Sequence, residues 1–113
     1  MKNKIVSLSK SEEFKSILGG RKISNKYLTI FFRQLSGKDI KKLNISIITK
    51  KKIGNAVKRN KIKRRLRNIM NQILKISKLN LNYSYLIIAK KNIISASFSD
   101  IKEIISKDFK KIK

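Results

Sequence analysis

Apolar residues recur along this chain in two rhythms. From Asn55 to Lys75, Ile62, Leu66, Ile69, Met70 and Ile73 fall at i, i+4, i+7, i+8 and i+11. That spacing draws one continuous stripe on a helix. At about 100° per residue, Asn60, Arg64, Arg67 and Asn71 lie on the opposite face. Arg59 and Lys63 flank the stripe on one side, Lys61 and Arg65 on the other. Val57 does not fit the stripe and is expected to pack where the chain enters the helix. Near the start, Ser9 and Glu12 form a capping-box pattern ahead of Phe14, Ile17 and Leu18 at i, i+3 and i+4. Gly19-Gly20 then stops this short first helix. Ser97 with Asp100 opens a third helix, which carries Ile101, Ile104, Ile105, Phe109 and Ile112.

The second rhythm is that of strands. Tyr27 to Phe32 is rich in aromatic and β-branched residues, and Leu43 to Thr49 alternates through Leu43, Ile45 and Ile47. Ser36-Gly37-Lys38-Asp39 supplies the turn between them. Tyr85 to Ala89 is a short apolar run that fits a central strand, and Lys22 to Ser24 gives a weaker strand signal. The order predicted is α-β-β-(β)-α-β-α, helices on a small sheet. No linker, repeat or low-complexity break divides the chain, so residues 1–113 are expected to form a single domain.

Charge changes this picture. Thirty Lys and Arg against six Asp and Glu give a net charge of +24 over 113 residues. The acids all lie towards the ends: Glu12, Glu13 and Asp39, then Asp100, Glu103 and Asp108. Between them, Lys50 to Arg67 holds ten basic positions in eighteen, including four of the six arginines. Regularly spaced Ile and Leu run through this segment, so it reads as one face of a folded helix rather than a solvated tail. Such a stripe is the electrostatic footprint of a phosphate-binding surface. Arginine adds planar, multi-donor recognition, and Asn55, Asn60, Asn68 and Asn71 add neutral donors and acceptors suited to sugars and base edges.

Other chemistries fare worse. The chain has no Cys and no His, which removes thiol nucleophiles, Cys/His zinc sites and imidazole acid–base catalysis. Glu12 with Glu13, and Asp100 with Glu103, are expected in the first turns of helices, where the dipole favours negative charge. Gly54 lacks the spacing of a nucleotide-phosphate loop. The basic helix has the amphipathicity of a membrane-surface element, but its apolar stripe is needed for packing and carries no aromatic anchors. No apolar run approaches the ~20 residues of a membrane span, and Met1 to Lys15 lacks the apolar centre of a secretory signal. The expectation is an intracellular binder of a polyanion.

The segment Lys51-Lys52-Ile53-Gly54-Asn55-Ala56-Val57-Lys58-Arg59-Asn60-Lys61-Ile62-Lys63-Arg64-Arg65-Leu66-Arg67 resembles the signature of the bacterial ribonuclease P protein family. That signature, Lys-x-Gly-x-Ala-Val-x-Arg-Asn-x-x-Lys-Arg-x-x-Arg, is matched at Lys52, Gly54, Ala56, Val57, Arg59, Asn60, Lys63, Arg64 and Arg67. The resemblance covers nearly the whole chain. It implies an α+β fold, an α-β-β-β-α-β-α two-layer sandwich of ribosomal-protein-like type with a left-handed βαβ crossover.

It also implies a cytoplasmic subunit of a ribonucleoprotein endoribonuclease whose RNA subunit, with bound Mg2+, removes the 5′ leader of precursor tRNA. The protein's part is to bind the catalytic RNA and the leader; no catalytic or metal-ligating protein residue, no membrane and no obligate protein partner are expected. Carried onto this sequence, the RNA-binding set is Lys51, Lys52, Asn55, Arg59, Asn60, Lys63, Arg64 and Arg67. The leader cleft takes Phe14, Leu18 and Phe31.

Departures from the family pattern are Lys61 where Arg is frequent, Leu18 and Phe31 at positions where aromatic residues, often Phe and Tyr, are common, Ser46 for a usual Gly, and Ser84 for a frequent Asp. A small basic ribosomal protein, or another RNA-binding protein without a processing role, fits the composition and size equally well. The signature separates the two readings.

Overall fold

The structure is a computed structural model that describes residues 5–8, 10–39, 41–76 and 79–112. Strands β1 (Ile5–Val6), β2 (Arg21–Ser24), β3 (Leu28–Gln34), β4 (Leu43–Ile48) and β5 (Tyr83–Ala89) alternate with helices α1 (Ser11–Leu18), α2 (Ala56–Ile76) and α3 (Phe98–Lys110). Short 3-10 turns at Lys51–Ile53 and Lys91–Ser95 precede α2 and α3. The strands form one mixed sheet in the order β1-β4-β5-β3-β2. β1, β4 and β5 run parallel, while β3 is antiparallel to both β5 and β2. α2 is the crossover between the parallel neighbours β4 and β5, as parallel pairing requires.

Side chains alternate across a strand, and both faces of this sheet are used. Tyr85, Ile87 and Ala89 of β5 join Leu28, Ile30 and Phe32 of β3 and Leu43 and Ile45 of β4 beneath α2 and α3. Leu86 faces the other way, where Leu8 and Ile17 cover it and Phe14, Phe31, Leu35, Ile48 and Ile88 pack around it. The sheet and the α2–α3 pair form the main two layers, with the short α1 on the far side. β5 is predominantly apolar, with Ser84 buried among its apolar residues, because it is central and covered on both faces.

The stripe on α2 is buried as its periodicity predicts: Ile62, Leu66, Ile69, Met70 and Ile73. Ser97 caps α3, its hydroxyl accepting from the Asp100 amide at 3.1 Å. Gly20 lets the end of α1 lie against β3, since a Cβ there would stand 2.7 Å from the Phe32 carbonyl oxygen.

Several expectations need correction. Val57 is 74% exposed; Ile53, in the 3-10 turn just before α2, takes the core position at the helix entry instead. Of the capping box, Ser9 lies outside the described residues, and the N-cap of α1 is Lys10, with no side-chain cap bond. Glu103 lies beyond the first turn of α3 and pairs with Lys107 one turn on.

β1 is an added fifth strand, tied down by Ser46, whose hydroxyl accepts from the Leu8 amide and donates to the Leu8 carbonyl. Asp108, in the sequence only one of the acids towards the end of the chain, is buried. It accepts from Asn25 Nδ2 at 2.7 Å, while Asn25 Oδ1 accepts from the Tyr27 and Leu28 backbone amides.

Candidate nucleic-acid interface

The signature segment folds into a turn followed by a helix, and its nine matched residues divide between shape and charge. Gly54 has φ +153°, a backbone region that side chains rarely adopt, and a Cβ there would press on Lys58 at 3.0 Å. Glycine therefore lets the 3-10 turn swing directly into α2. Asn55 caps the helix, its side-chain oxygen accepting from the Lys58 amide at 3.0 Å. One side-chain group of Asn55 is thus committed to the fold, although the residue is exposed.

Lys51 and Lys52 are exposed on the turn, and Asn60, Arg64 and Arg67 are exposed along α2. Arg59 and Lys63 are half-buried, in keeping with stems that lie beside the apolar stripe. Arg59, Lys63, Arg64 and Arg67 share one side of α2 by their spacing, and the sequence holds no acid between Asp39 and Asp100.

A second feature lies on the α1 side of the sheet. Phe31 and Thr29 of β3 and Ile88 of β5 floor a cavity of about 260 Å³, and Lys50, Lys52, Lys90 and Lys91 rim it. Phe14 belongs to the same apolar cluster as Phe31 and Ile88, and both rings are half-buried. Leu18, 45% exposed on the last turn of α1, stands outside that cluster. Lys90 is held in place, its ammonium donating to Ser24 Oγ at 2.8 Å and to the Asn25 carbonyl at 2.6 Å. Lys22 approaches the Phe31 ring at 6.0 Å.

Sequence reasoning missed Thr29, Lys50, Ile88, Lys90 and Lys91. Two lysines immediately after a predicted central strand were the available signal, but only the pairing of Thr29 with Ile88 brings them to the cavity. Lys52 belongs both to this cavity and to the signature turn, so the two surfaces meet.

Among the described residues that line the cavity there is no acid. Glu13 pairs with Lys38, and that hydrogen bond holds its carboxyl below the usual glutamate value of 4.5. Among the described residues, no three acidic, Cys or His side chains come together to hold a metal ion. Nor, among the described residues, is any helix long and apolar enough to cross a membrane.

These features define a class: a small, strongly basic α+β protein with a helix dense in Arg and Lys next to an apolar-floored cleft. The chain belongs to the ribonuclease P protein family, whose model, Ribonuclease P, matches residues 2–113. Members are protein components of an endoribonuclease ribonucleoprotein. The chain is 33% identical over 111 residues to the ribonuclease P protein component of Mesomycoplasma hyopneumoniae, covering 97% of this chain and 95% of the relative. It is 36% identical over 103 residues to that of Carboxydothermus hydrogenoformans, covering 89% and 85%.

Among solved structures, the Thermotoga maritima RNase P protein superposes with a TM-score of 0.80 at 25% identity, covering 96% of this chain and 98% of that one. The Staphylococcus aureus protein shares the fold, with a TM-score of 0.77 at 24% identity over 94% and 93%.

Proposed function

We propose that this chain binds the catalytic RNA of ribonuclease P through Lys51, Lys52, Asn55, Arg59, Asn60, Lys63, Arg64 and Arg67. In this reading it also holds the 5′ leader of precursor tRNA across Phe14, Leu18 and Phe31. Leader removal is performed by the RNA, which supplies the Mg2+ sites; the protein contributes binding and orientation, in the cytoplasm. The observation that carries this reading is the meeting of two surfaces at Lys52, a cation shared by the signature turn and the sheet cavity. A helix rich in Arg and Asn suits a structured RNA. A half-exposed aromatic floor with a lysine rim suits a single strand, because unstacked bases lie on rings while cations track the phosphates.

The test compares precursor and mature tRNA affinities of the reconstituted complex, for wild type, Phe14→Leu and Phe31→Leu. Stacking of a base on an aromatic ring is worth about 1–3 kcal/mol. Each variant should therefore lower the precursor-to-mature affinity ratio about fivefold or more, while binding to the catalytic RNA is unchanged. An unchanged ratio with a lower melting temperature would assign both rings to the core alone.

A further inference from the structure

α2 carries polar and cationic residues on two sides. Arg59, Asn60, Lys63, Arg64 and Arg67 share the signature side. Lys58, Lys61, Arg65 and Asn68 lie roughly 150° round the helix from it, at about 100° per residue. The segment joining β5 to α3 walls this second side. A groove runs between them, about 420 Å³ beside Phe98 and about 180 Å³ beside Ile94, and Lys61 and Arg65 line both parts. The Arg65 guanidinium reaches the Ala96 carbonyl at 3.5 Å, which links helix to wall. Ile94 is 42% exposed and Phe98 half-buried, so an apolar surface is left open between cations. Among the described residues, no acidic side chain lines the groove.

We propose that this groove is a second RNA site, one that takes an unpaired nucleotide, with its phosphate against Lys58, Lys61 and Arg65 and its base on Phe98. The proposal rests on the reading of the chain as an RNA-binding protein and extends it to residues outside the nine matched signature positions. Three observations favour a nucleotide. Cations beside an exposed aromatic face match a phosphate linked to a planar base. The Asn68 amide, beside Phe98, offers a donor and an acceptor to a base edge. Arg64 lies on the signature side and also lines the groove, so a strand on one surface continues over the helix into the other. A paired helix would leave the apolar wall unused, because its bases are turned inward; unpaired RNA is what splays bases onto rings.

The chain has no tryptophan, so Phe98→Trp places a single indole in the groove. The full chain carrying this substitution is titrated with the catalytic RNA, with binding followed in parallel by mobility shift. The emission should be quenched in step with binding, whereas an indole introduced by Ile76→Trp, at the exposed far end of α2, should not respond. In the wild-type background, Phe98→Leu should weaken RNA affinity about fivefold or more, the lower end of a lost stack. Arg65→Gln should flatten the slope of log affinity against log salt by about 0.7 to 0.9, the share of one phosphate.

RNA bound with the indole emission unchanged would overturn the groove and leave the signature surface standing. Equal quenching at positions 98 and 76, or by polyglutamate, would also overturn it. Absence of any RNA binding would overturn the proposed function itself. Should Phe98→Leu fail to fold by circular dichroism, the quenching and Arg65→Gln measurements decide.

Discussion

At Gly54 the backbone does what no other residue tolerates cheaply, because φ +153° combines with the closeness of Lys58. Replacing it with Ala should cost about 1–3 kcal/mol of folding free energy, the usual range for such strain; urea unfolding monitored by circular dichroism checks this. Asn55→Ala should cost about 1 kcal/mol through loss of the α2 cap. Glu13 gives a pH test. Its carboxyl is held below 4.5 in the folded state by Lys38. The stability it contributes is therefore complete above 4.5 and lost as pH falls through the folded-state value. The melting-temperature advantage of wild type over Glu13→Gln should thus hold near neutrality and shrink below pH 4.5.

Not all of this was legible in the sequence. Gly54 stands out as a signature position and Asn55 as its unmatched neighbour, but their roles as a strained turn and a helix cap depend on where α2 begins. Asp108 could not be read at all. Its partner Asn25 is 83 positions away, and one acid on an amphipathic helix looks like surface.

Elements long enough to repeat a pattern were the readable ones. The buried residues of α2 are the five of its predicted stripe, because 21 residues give the periodicity several turns to declare itself. Leu66→Ala should accordingly cost about 2–5 kcal/mol, as a fully buried leucine does. Ser97 announced α3 through a cap chemistry that needs only local residues. β1 and the two 3-10 turns are too short to carry a pattern, and they were not foreseen. The 3-10 turn before α2 explains the misplacement of Val57, since it presents Ile53 to the core and leaves Val57 in solvent. On the opposite face of α2, Arg64→Ala and Arg67→Ala should each flatten the salt dependence of RNA binding by about 0.7 to 0.9. Thermal unfolding should barely change, because both side chains are exposed.

Across the whole molecule, 24 excess positive charges repel one another in any compact state. Domains hold only about 5–15 kcal/mol in reserve, so anions that bind the native surface should stabilise it by mass action. Sulfate, phosphate or RNA should raise the melting temperature beyond chloride of equal ionic strength; equal shifts would argue against an organised anion-binding surface. Composition pointed to such a surface, and the signature assigned it to α2. The sheet cavity was less legible, because strand order is a tertiary result. Lys90 and Lys91 reach Phe31 only because β5 lies between β3 and β4.

The central claim is that this chain assists an RNA catalyst and cleaves nothing itself. Precursor tRNA should be incubated at low Mg2+ with the catalytic RNA alone, the protein alone, and both together, after nuclease treatment of the protein to remove carried-over RNA. The account predicts a mature 5′ end from the combination, at a rate well above the RNA alone, and no cleavage by the protein. Site-specific cleavage by the treated protein alone, or no stimulation of the RNA by the protein, would contradict it.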